Sequence, residues 1–182
     1  MMESTTTTSS EKAVKSVPLV RISYFLFWFV AFLALDQGVK AWCRHKFVIG
    51  EKLAFPIPNV FEITLTYNKG IAFGFFQGSG VLFAPVAILI TLWAFLFCRQ
   101  HSHERRWVHL AAALLASGAI GNLIDRVWLG KVTDMLWFRA INFPVFNIAD
   151  SCITIGALMF ALRFIFEPKG QGSGTDMPIT NT

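Results

Sequence analysis

The stretch Ile148–Phe166, IADSCITIGALMFALRFIF, decides the class of fold. Its two charged residues, Asp150 and Arg163, stand near its ends, and most of the rest is apolar. A helix of about 20 apolar residues is long enough to cross the ~30 Å hydrocarbon core of a bilayer. In lipid the segment must be helical, because only then are its backbone polar groups satisfied internally. The stretch therefore predicts a membrane-spanning helix.

Three further runs have the same character: Val17–Leu35, Val81–Cys98 and Trp107–Ile124. The composition agrees, because 54% of the 182 residues are hydrophobic and only 15% are charged, against about 25% charged in a soluble domain. The first run ends without the small-residue cleavage site of a signal peptide, so we expect it to be retained. We predict an all-α membrane protein with four transmembrane helices.

Polar ends enclose this single domain. Residues 1–16 and 169–182 are predicted to be disordered tails around a transmembrane domain at 17–168.

The basic residues flank apolar runs along the whole chain, which favours anionic lipid head groups over nucleic acid as a partner. Lys and Arg divide evenly between the two sides of the predicted topology. The short loop Arg99–Arg106 contains three Arg, which favours a cytoplasmic position for it and for both termini.

The loop between the first two helices has the period of a strand. In Phe61–Tyr67, FEITLTY, apolar and polar residues alternate strictly, which is typical of a half-buried strand. Asn68-Lys69-Gly70 has turn chemistry, and Ile71–Phe76 could return as a second strand. We predict a small sheet at about 55–78, on the outer face of the bilayer.

Ionisable and amide side chains gather on the predicted outer side. Such groups are costly near lipid, so each is expected to have a structural or functional role there. Asp36 and Lys40, four residues apart, favour an ion pair along one helix. Asn122, Asp125 and Arg126 lie on one side of the third helix. They are either a polar helix end with Arg126 reaching the interface, or a wall that positions a substrate backbone. The residues alone leave both readings open.

Two carboxylates, Asp134 and Asp150, are the candidates for chemistry. Asp150 could simply complete a capping box with Asn147, and Asp134 could be a loop residue. However, the segment 137–146 is too apolar for a free aqueous loop, so we expect it to fold back and hold Asp134 near the fourth helix. Two carboxylates in a poorly solvated site do not both ionise easily. Together they could supply a general base and a general acid for hydrolysis of a peptide bond.

Two other classes of function compete with a peptidase. In a small proton-coupled transporter, the two Asp would be relay sites, although relays normally lie near the midplane of the membrane. In a structural membrane subunit, the polar residues would only cap helices. The three cysteines show no spacing typical of metal ligands, so we predict no metal and no cofactor.

Five motifs occur in the order of a known family. They are Asp36-Gln37-Gly38-Val39-Lys40, Tyr67-Asn68-Lys69-Gly70-Ile71-Ala72-Phe73, Gly121-Asn122-Leu123-Ile124-Asp125-Arg126, Val132-Thr133-Asp134 and Phe146-Asn147-Ile148-Ala149-Asp150-Ser151. With them the chain resembles the lipoprotein signal peptidases (signal peptidase II) over roughly residues 19–167. Ile71 stands where the family usually has Ala, and Val39 where Thr is commoner.

The resemblance implies an intramembrane aspartic endopeptidase of the bacterial inner membrane. It would remove the signal peptide of a prolipoprotein just before a diacylglyceryl-modified Cys, near the outer face, with both termini cytoplasmic. It implies a β-cradle over the site, a lipid-modified precursor and membrane lipids as partners, and we expect a monomer. The residues implied are catalytic Asp134 and Asp150, substrate-binding Asn68, Asn122, Arg126 and Asn147, and structural Asp36, Lys40 and Asp125.

Overall fold

The helices of the protein follow its long apolar runs. The computed structural model describes residues 8–69 and 84–166, and their side chains from residue 21 onward. The four helices are α1 (Thr8–Lys46), α2 (Ala84–Gln100), α3 (Arg106–Leu129) and α4 (Ile148–Phe166). The three strands are β1 (Lys52–Ile57), β2 (Phe61–Asn68) and β3 (Val132–Trp137), and a short 3-10 helix covers Arg139–Ile141. The protein is therefore mostly helical, with one small sheet.

Three helical stretches among the described residues are long and apolar enough to cross a membrane: Arg21–Lys46, Arg106–Leu129 and Ile148–Phe166. The bounds predicted for the fourth helix match α4. α2 is apolar but shorter, with 17 residues, and the predicted start of its run at 81–83 lies outside the described residues. The count of four spans therefore stays a prediction, as does the division into two tails and one domain.

α1 and α3 both continue past the C-terminal ends of the predicted apolar runs, where the polar residues Asp36, Lys40 and Asp125 are buried inside the bundle. α1 starts at Thr8 and continues past Leu35 to Lys46, with Asp36 and Lys40 fully buried along it. α3 continues past Ile124 to Leu129 and ends where Gly130 adopts a left-handed conformation (φ 67°), its N–H donating to the Arg126 carbonyl. That conformation suits Gly, which has no Cβ to clash.

α3 is the central helix and packs against α1, α2 and α4. Ala113, Ser117 and Gly121, four residues apart along the helix, are all buried, and such small residues allow neighbouring helices to approach closely. A Cβ on Gly118 would lie 2.4 Å from the Ala149 carbonyl oxygen of α4, and one on Gly121 would lie 2.5 Å from Asp36 Oδ2 of α1. The helices therefore meet closest where α4 begins and where α1 carries its buried carboxylate.

The sheet is antiparallel with the order β1-β2-β3. The strand predicted at Phe61–Tyr67 is confirmed as β2. The predicted second strand at Ile71–Phe76 lies outside the described residues. β1 was not predicted, because all its side chains are exposed and it shows no apolar alternation.

β3 corrects one reading of the sequence, since Asp134 lies in a strand and not in a loop. Residues 132–135 of this strand are all buried, so the alternation that marks a half-buried strand is missing. Asp134 pairs with Thr66 of β2 in the register of the sheet. The predicted return of segment 137–146 is confirmed, because Leu136 and Phe146 exchange backbone hydrogen bonds of 2.8 and 2.9 Å. The return brings β3 beside the start of α4.

Candidate active site

The first turn of α4 is closed by a reciprocal cap. The Asp150 N–H donates to Asn147 Oδ1 at 2.9 Å, and the Asn147 N–H donates to Asp150 Oδ2 at 3.2 Å. This is the capping-box arrangement, with Asp in the place of the usual Glu or Gln. The capping explanation of these two residues is therefore confirmed.

The cap leaves Asp150 Oδ1 for a second contact. Asn122 of α3 donates its side-chain N–H to this oxygen at 2.7 Å. Asp150 is only partly buried, so the carboxylate is held from two sides while part of the side chain remains accessible. Capping and a place in a polar site are therefore compatible for this residue.

Asp134 is held by the same amide that caps α4. Asn147 Nδ2 donates to Asp134 Oδ1 at 2.7 Å and to Asn122 Oδ1 at 3.0 Å, which uses both N–H bonds of one amide group. The Asn68 side chain at the end of β2 also hydrogen-bonds Asp134. Asn147 is fully buried. The two carboxylates and three Asn thus form one network built from β2, β3, α3 and α4.

The electrostatics of this network raise the pKa of Asp134 from its ordinary 3.8 to about 7. Burial is the main cause, since the side chain is only 2% exposed, and the negative charge of Asp150 adds to it. Hydrogen bonds from Asn147 and Asn68 and the charge of Lys40 offset part of the shift. Near neutral pH, Asp134 is therefore poised between its protonated and ionised forms.

Lys40 supports the network from α1. Its Nζ lies 2.9 Å from Asp36 Oδ2 and 3.1 Å from Asn122 Oδ1, so the predicted ion pair with Asp36 is confirmed. The pair is completely buried, unlike the surface pair that the spacing alone suggests. Asp36 Oδ1 also accepts the Ala149 N–H at 2.9 Å. The pair therefore joins α1 to α3 and to the first turn of α4.

Asp125 joins α3 to the strand that carries Asp134. Its Oδ2 accepts the Thr133 N–H at 2.8 Å, and its Oδ1 lies 3.4 Å from Arg44 Nη1, which also donates to Thr133 Oγ1 at 3.0 Å. The sequence did not predict a role for Arg44, and it placed Thr133 in a motif without a role of its own. The available signals were that Arg44 is one turn after Lys40 on α1 and that Thr133 directly precedes Asp134.

Arg126 turns towards the carboxylates. Its Nη1 donates to the Asn122 carbonyl at 3.3 Å, and its charge interacts with those of Asp150 and Asp134. All nine residues singled out from the sequence therefore lie in one connected polar region. Within the described ranges, no three His, Cys, Asp or Glu side chains come together as a metal-binding group.

Two cavities meet at Asp150 and Asn68. One, of about 760 Å³, is mostly apolar and is lined by aromatic residues of segment 138–146 and by the start of α4. The other, of about 280 Å³, lies on the side of α2 and α3 and includes Asn122 and Arg126 in its lining. An extended ligand that occupied both cavities would cross Asp150.

Comparisons with known proteins agree on one family. The chain matches the model of a family described as Signal peptidase (SPase) II over residues 28–166. A lipoprotein signal peptidase of Streptococcus pneumoniae is 34% identical over 135 residues, which are 74% of this chain and 88% of the relative. One of Pseudomonas putida is 36% identical over 146 residues, with 76% and 85% covered.

Solved structures show the same fold. A bacterial membrane enzyme determined at 2.3 Å resolution superposes with a TM-score of 0.73 at 28% identity, covering 82% of this chain and 92% of that chain. A second, determined at 1.9 Å, gives a TM-score of 0.71 at 30% identity, with 79% and 94% covered.

Proposed function

The chain belongs to the signal peptidase II family, and from this premise we propose that it is an intramembrane aspartic endopeptidase whose catalytic pair is Asp134 and Asp150. Membership in the family implies a protease that processes lipoprotein precursors in a bacterial membrane. The aspartic mechanism and the roles of individual residues are our inference. The observation that carries them is that Asn147 contacts both carboxylates. Its side-chain amide donates to Asp134, and its backbone N–H donates to Asp150 in the cap of α4.

The raised pKa of Asp134 assigns the two roles in this proposal. Asp134 holds the proton that the pair shares, and Asp150 acts as the general base. Asp134 lies in β3 and Asp150 in the first turn of α4. Neither position is the mid-span location expected of a proton relay, which favours the peptidase over the transporter.

The proposed reaction proceeds in two steps. Asp150 takes a proton from water as the water oxygen bonds to the peptide carbonyl carbon, and Asp134 gives its proton to the carbonyl oxygen. In the second step, the carbon–nitrogen bond breaks, the amine takes the proton from Asp150, and a hydroxyl proton of the intermediate returns to Asp134. The products are a carboxylic acid and an amine, and the pair is restored to its starting state.

The two cavities suit the two parts of a lipid-modified precursor. The apolar cavity beside Asp150 fits the diacylglyceryl group on the modified Cys. The smaller cavity, with Asn122 and Arg126 in its lining, offers hydrogen-bond donors to the main chain of the signal peptide. The scissile bond would then lie at Asp150. We further propose that this end of the bundle faces outward from the inner membrane, with Arg99–Arg106 and both termini in the cytoplasm.

Single amide substitutions test the proposal. Asp134→Asn and Asp150→Asn should each lower the cleavage rate of a purified, diacylglyceryl-modified precursor peptide by about 100-fold or more, the usual contribution of acid–base groups. Asp176→Asn, outside the described residues, is the matched control and should cleave at the normal rate. A variant of either proposed catalytic residue that kept a tenth of the activity, or inhibition by a chelator, would contradict the mechanism.

A further inference from the structure

Four phenylalanines form one side of the larger cavity, and we call them the aromatic wall: Phe61, Phe138, Phe143 and Phe146. Phe61 and Phe138 have ring centroids 4.7 Å apart, Phe138 and Phe146 5.6 Å, and Phe143 and Phe146 5.9 Å. These rings come from the start of β2 and from the segment that returns to α4. The shape of the wall therefore depends on what fixes β2 against that segment.

An ion pair fixes them directly behind the closest ring contact. Glu62 follows Phe61 and Arg139 follows Phe138, and Arg139 Nη1 donates to Glu62 Oε1 at 2.8 Å. Since successive side chains of a strand point to opposite faces, Glu62 reaches its partner from the face of β2 opposite Phe61. The Ala140 N–H adds a backbone hydrogen bond to the Val60 carbonyl at 3.3 Å.

The burial of Glu62 makes this contact important. The side chain is 1% exposed, whereas Arg139 is 42% exposed. Oε1 also accepts the Asn59 N–H at 2.8 Å, while Oε2 is buried without a hydrogen-bond partner among the described residues. The hydrogen bond from Arg139, followed by that from Asn59, holds the pKa of Glu62 below its ordinary range. A buried carboxylate needs such a partner, because leaving it unpaired is costly.

The pair is separated from the carboxylates along the sheet. Glu62 pairs with Trp137 at one end of the β2–β3 ladder, whereas Asp134 pairs with Thr66 towards the other end. A change at the pair therefore acts first on Phe61 and Phe138, the two rings of the aromatic wall that neighbour it in sequence, and touches none of the hydrogen bonds of the network around Asn147.

We propose that Glu62 and Arg139 are positioning residues that set the affinity for the apolar part of the lipid-modified precursor by holding the aromatic wall in place. The inference rests on the proposed function, since it takes the apolar cavity as the site of that group. Without the pair, the segment after β3 is held less firmly, the wall is less well ordered, and the precursor binds more weakly. Chemistry at Asp134 and Asp150 continues at its normal rate once the precursor is bound.

The test separates binding from catalysis. Arg139→Gln, Glu62→Gln and the double variant are assayed for kcat and KM with a diacylglyceryl-modified precursor peptide. Loss of uniform binding raises KM and leaves kcat unchanged. We therefore expect KM to rise about 3- to 10-fold with kcat within about twofold, on the scale of one ordinary hydrogen bond. The double variant should be no worse than the worse single variant, because both remove the same contact.

Lys52→Gln is the matched control. Lys52 lies over the Trp137 ring at 4.7 Å and Arg139 over the same ring at 5.7 Å. The charge of Lys52 also acts on Glu62, but among the described contacts the side-chain hydrogen bond to Glu62 comes from Arg139. The control therefore separates that hydrogen bond from the charge. The substitution of Lys52 should leave KM unchanged. An equal rise in KM for Lys52→Gln, an unchanged KM for Arg139→Gln, or a fall in kcat alone would each overturn the proposal.

A binding measurement keeps this test apart from that of the catalytic pair. The dissociation constant of an uncleavable, diacylglyceryl-modified peptide should rise for Arg139→Gln by the same factor as KM. If Asp134→Asn stayed active, the proposed mechanism would be wrong, yet this shift would still support the pair. If the dissociation constant did not change, the pair would be rejected whatever the Asp variants showed.

Discussion

In the proposed mechanism, raising the pH through 7 should stop precursor cleavage, because Asp134 would then lose the proton that it gives to the substrate carbonyl. Its pKa of about 7 means that the ionised fraction is about one half at pH 7 and about nine tenths at pH 8. Above the pKa, kcat/KM should therefore fall about tenfold for each pH unit. The residue that limits activity on the alkaline side would be a carboxylic acid, which ordinarily titrates near 3.8.

The same shift has a consequence for stability, and its sign can be worked out. The unfolded chain releases the Asp134 proton near pH 3.8, whereas the folded protein keeps it until about pH 7. Between these values the folded state binds a proton that the unfolded state has lost, so the free energy of unfolding falls as the pH rises through this window. Three pKa units correspond to about 4 kcal/mol at about 1.4 kcal/mol per unit. Asp134→Asn does not titrate and should lack this loss.

Two assays measure the two effects. Initial rates on a lipid-modified peptide in detergent, from about pH 5.5 to 9.5, should show an alkaline limb near pH 7. Asn68→Ala, which removes a hydrogen bond that lowers the pKa of Asp134, should move that limb to higher pH. Reversible unfolding in SDS should show Asp134→Asn gaining on the parent protein between pH 4 and 8. Flat activity from pH 6 to 9, or a constant stability difference, would refute the reasoning.

Two further substitutions probe the support of the network. Asn147→Ala removes the cap of α4 and the hydrogen bond to Asp134 together. We therefore expect a loss of about 1–2 kcal/mol in unfolding free energy and a cleavage rate at least about tenfold lower. An unchanged cleavage rate would count against the network. Lys40→Met leaves Asp36 as a buried carboxylate without its cation, which should cost about 3–5 kcal/mol. Adding Asp36→Asn should recover part of that loss in the same unfolding assay, and no recovery would mean that the pair is not the cause.

The lengths of the apolar runs predicted where the helices lie. Buried polar residues explain why the predicted end of α1 differs from the observed one. α4 was predicted with its observed bounds, since nothing charged interrupts the middle of Ile148–Phe166. The predicted run of α1 ended at Leu35 because Asp36 and Lys40 look like a helix end until α3 and α4 are present to pair with them. β3 was missed because a strand buried on both faces lacks the alternation of β2.

The contacts of the candidate site could be predicted where the residues are close in the sequence, but not where they are far apart in it. Asn147 and Asp150 are three residues apart, so the sequence itself indicated their cap. The meeting of Asp134 with the start of α4 followed from the apolar return of segment 137–146. By contrast, Arg44 contacts Asp125 and Arg139 contacts Glu62 across about 80 residues of chain. Such pairs leave no periodic pattern, because the sheet and bundle that join them form only in the folded protein.

The capped first turn of α4 both fixes the position of Asp150 and holds Asn147 where it hydrogen-bonds Asp134. If that turn frays, Asp150 loses a fixed position and Asn147 releases Asp134, although the rest of the bundle can remain intact. Inactivation on mild heating would then report local melting of a few residues and would precede any loss of total helix content. Mutations that loosen this turn should accordingly appear as heat-sensitive alleles, with enzyme that is still inserted in the membrane but no longer cleaves.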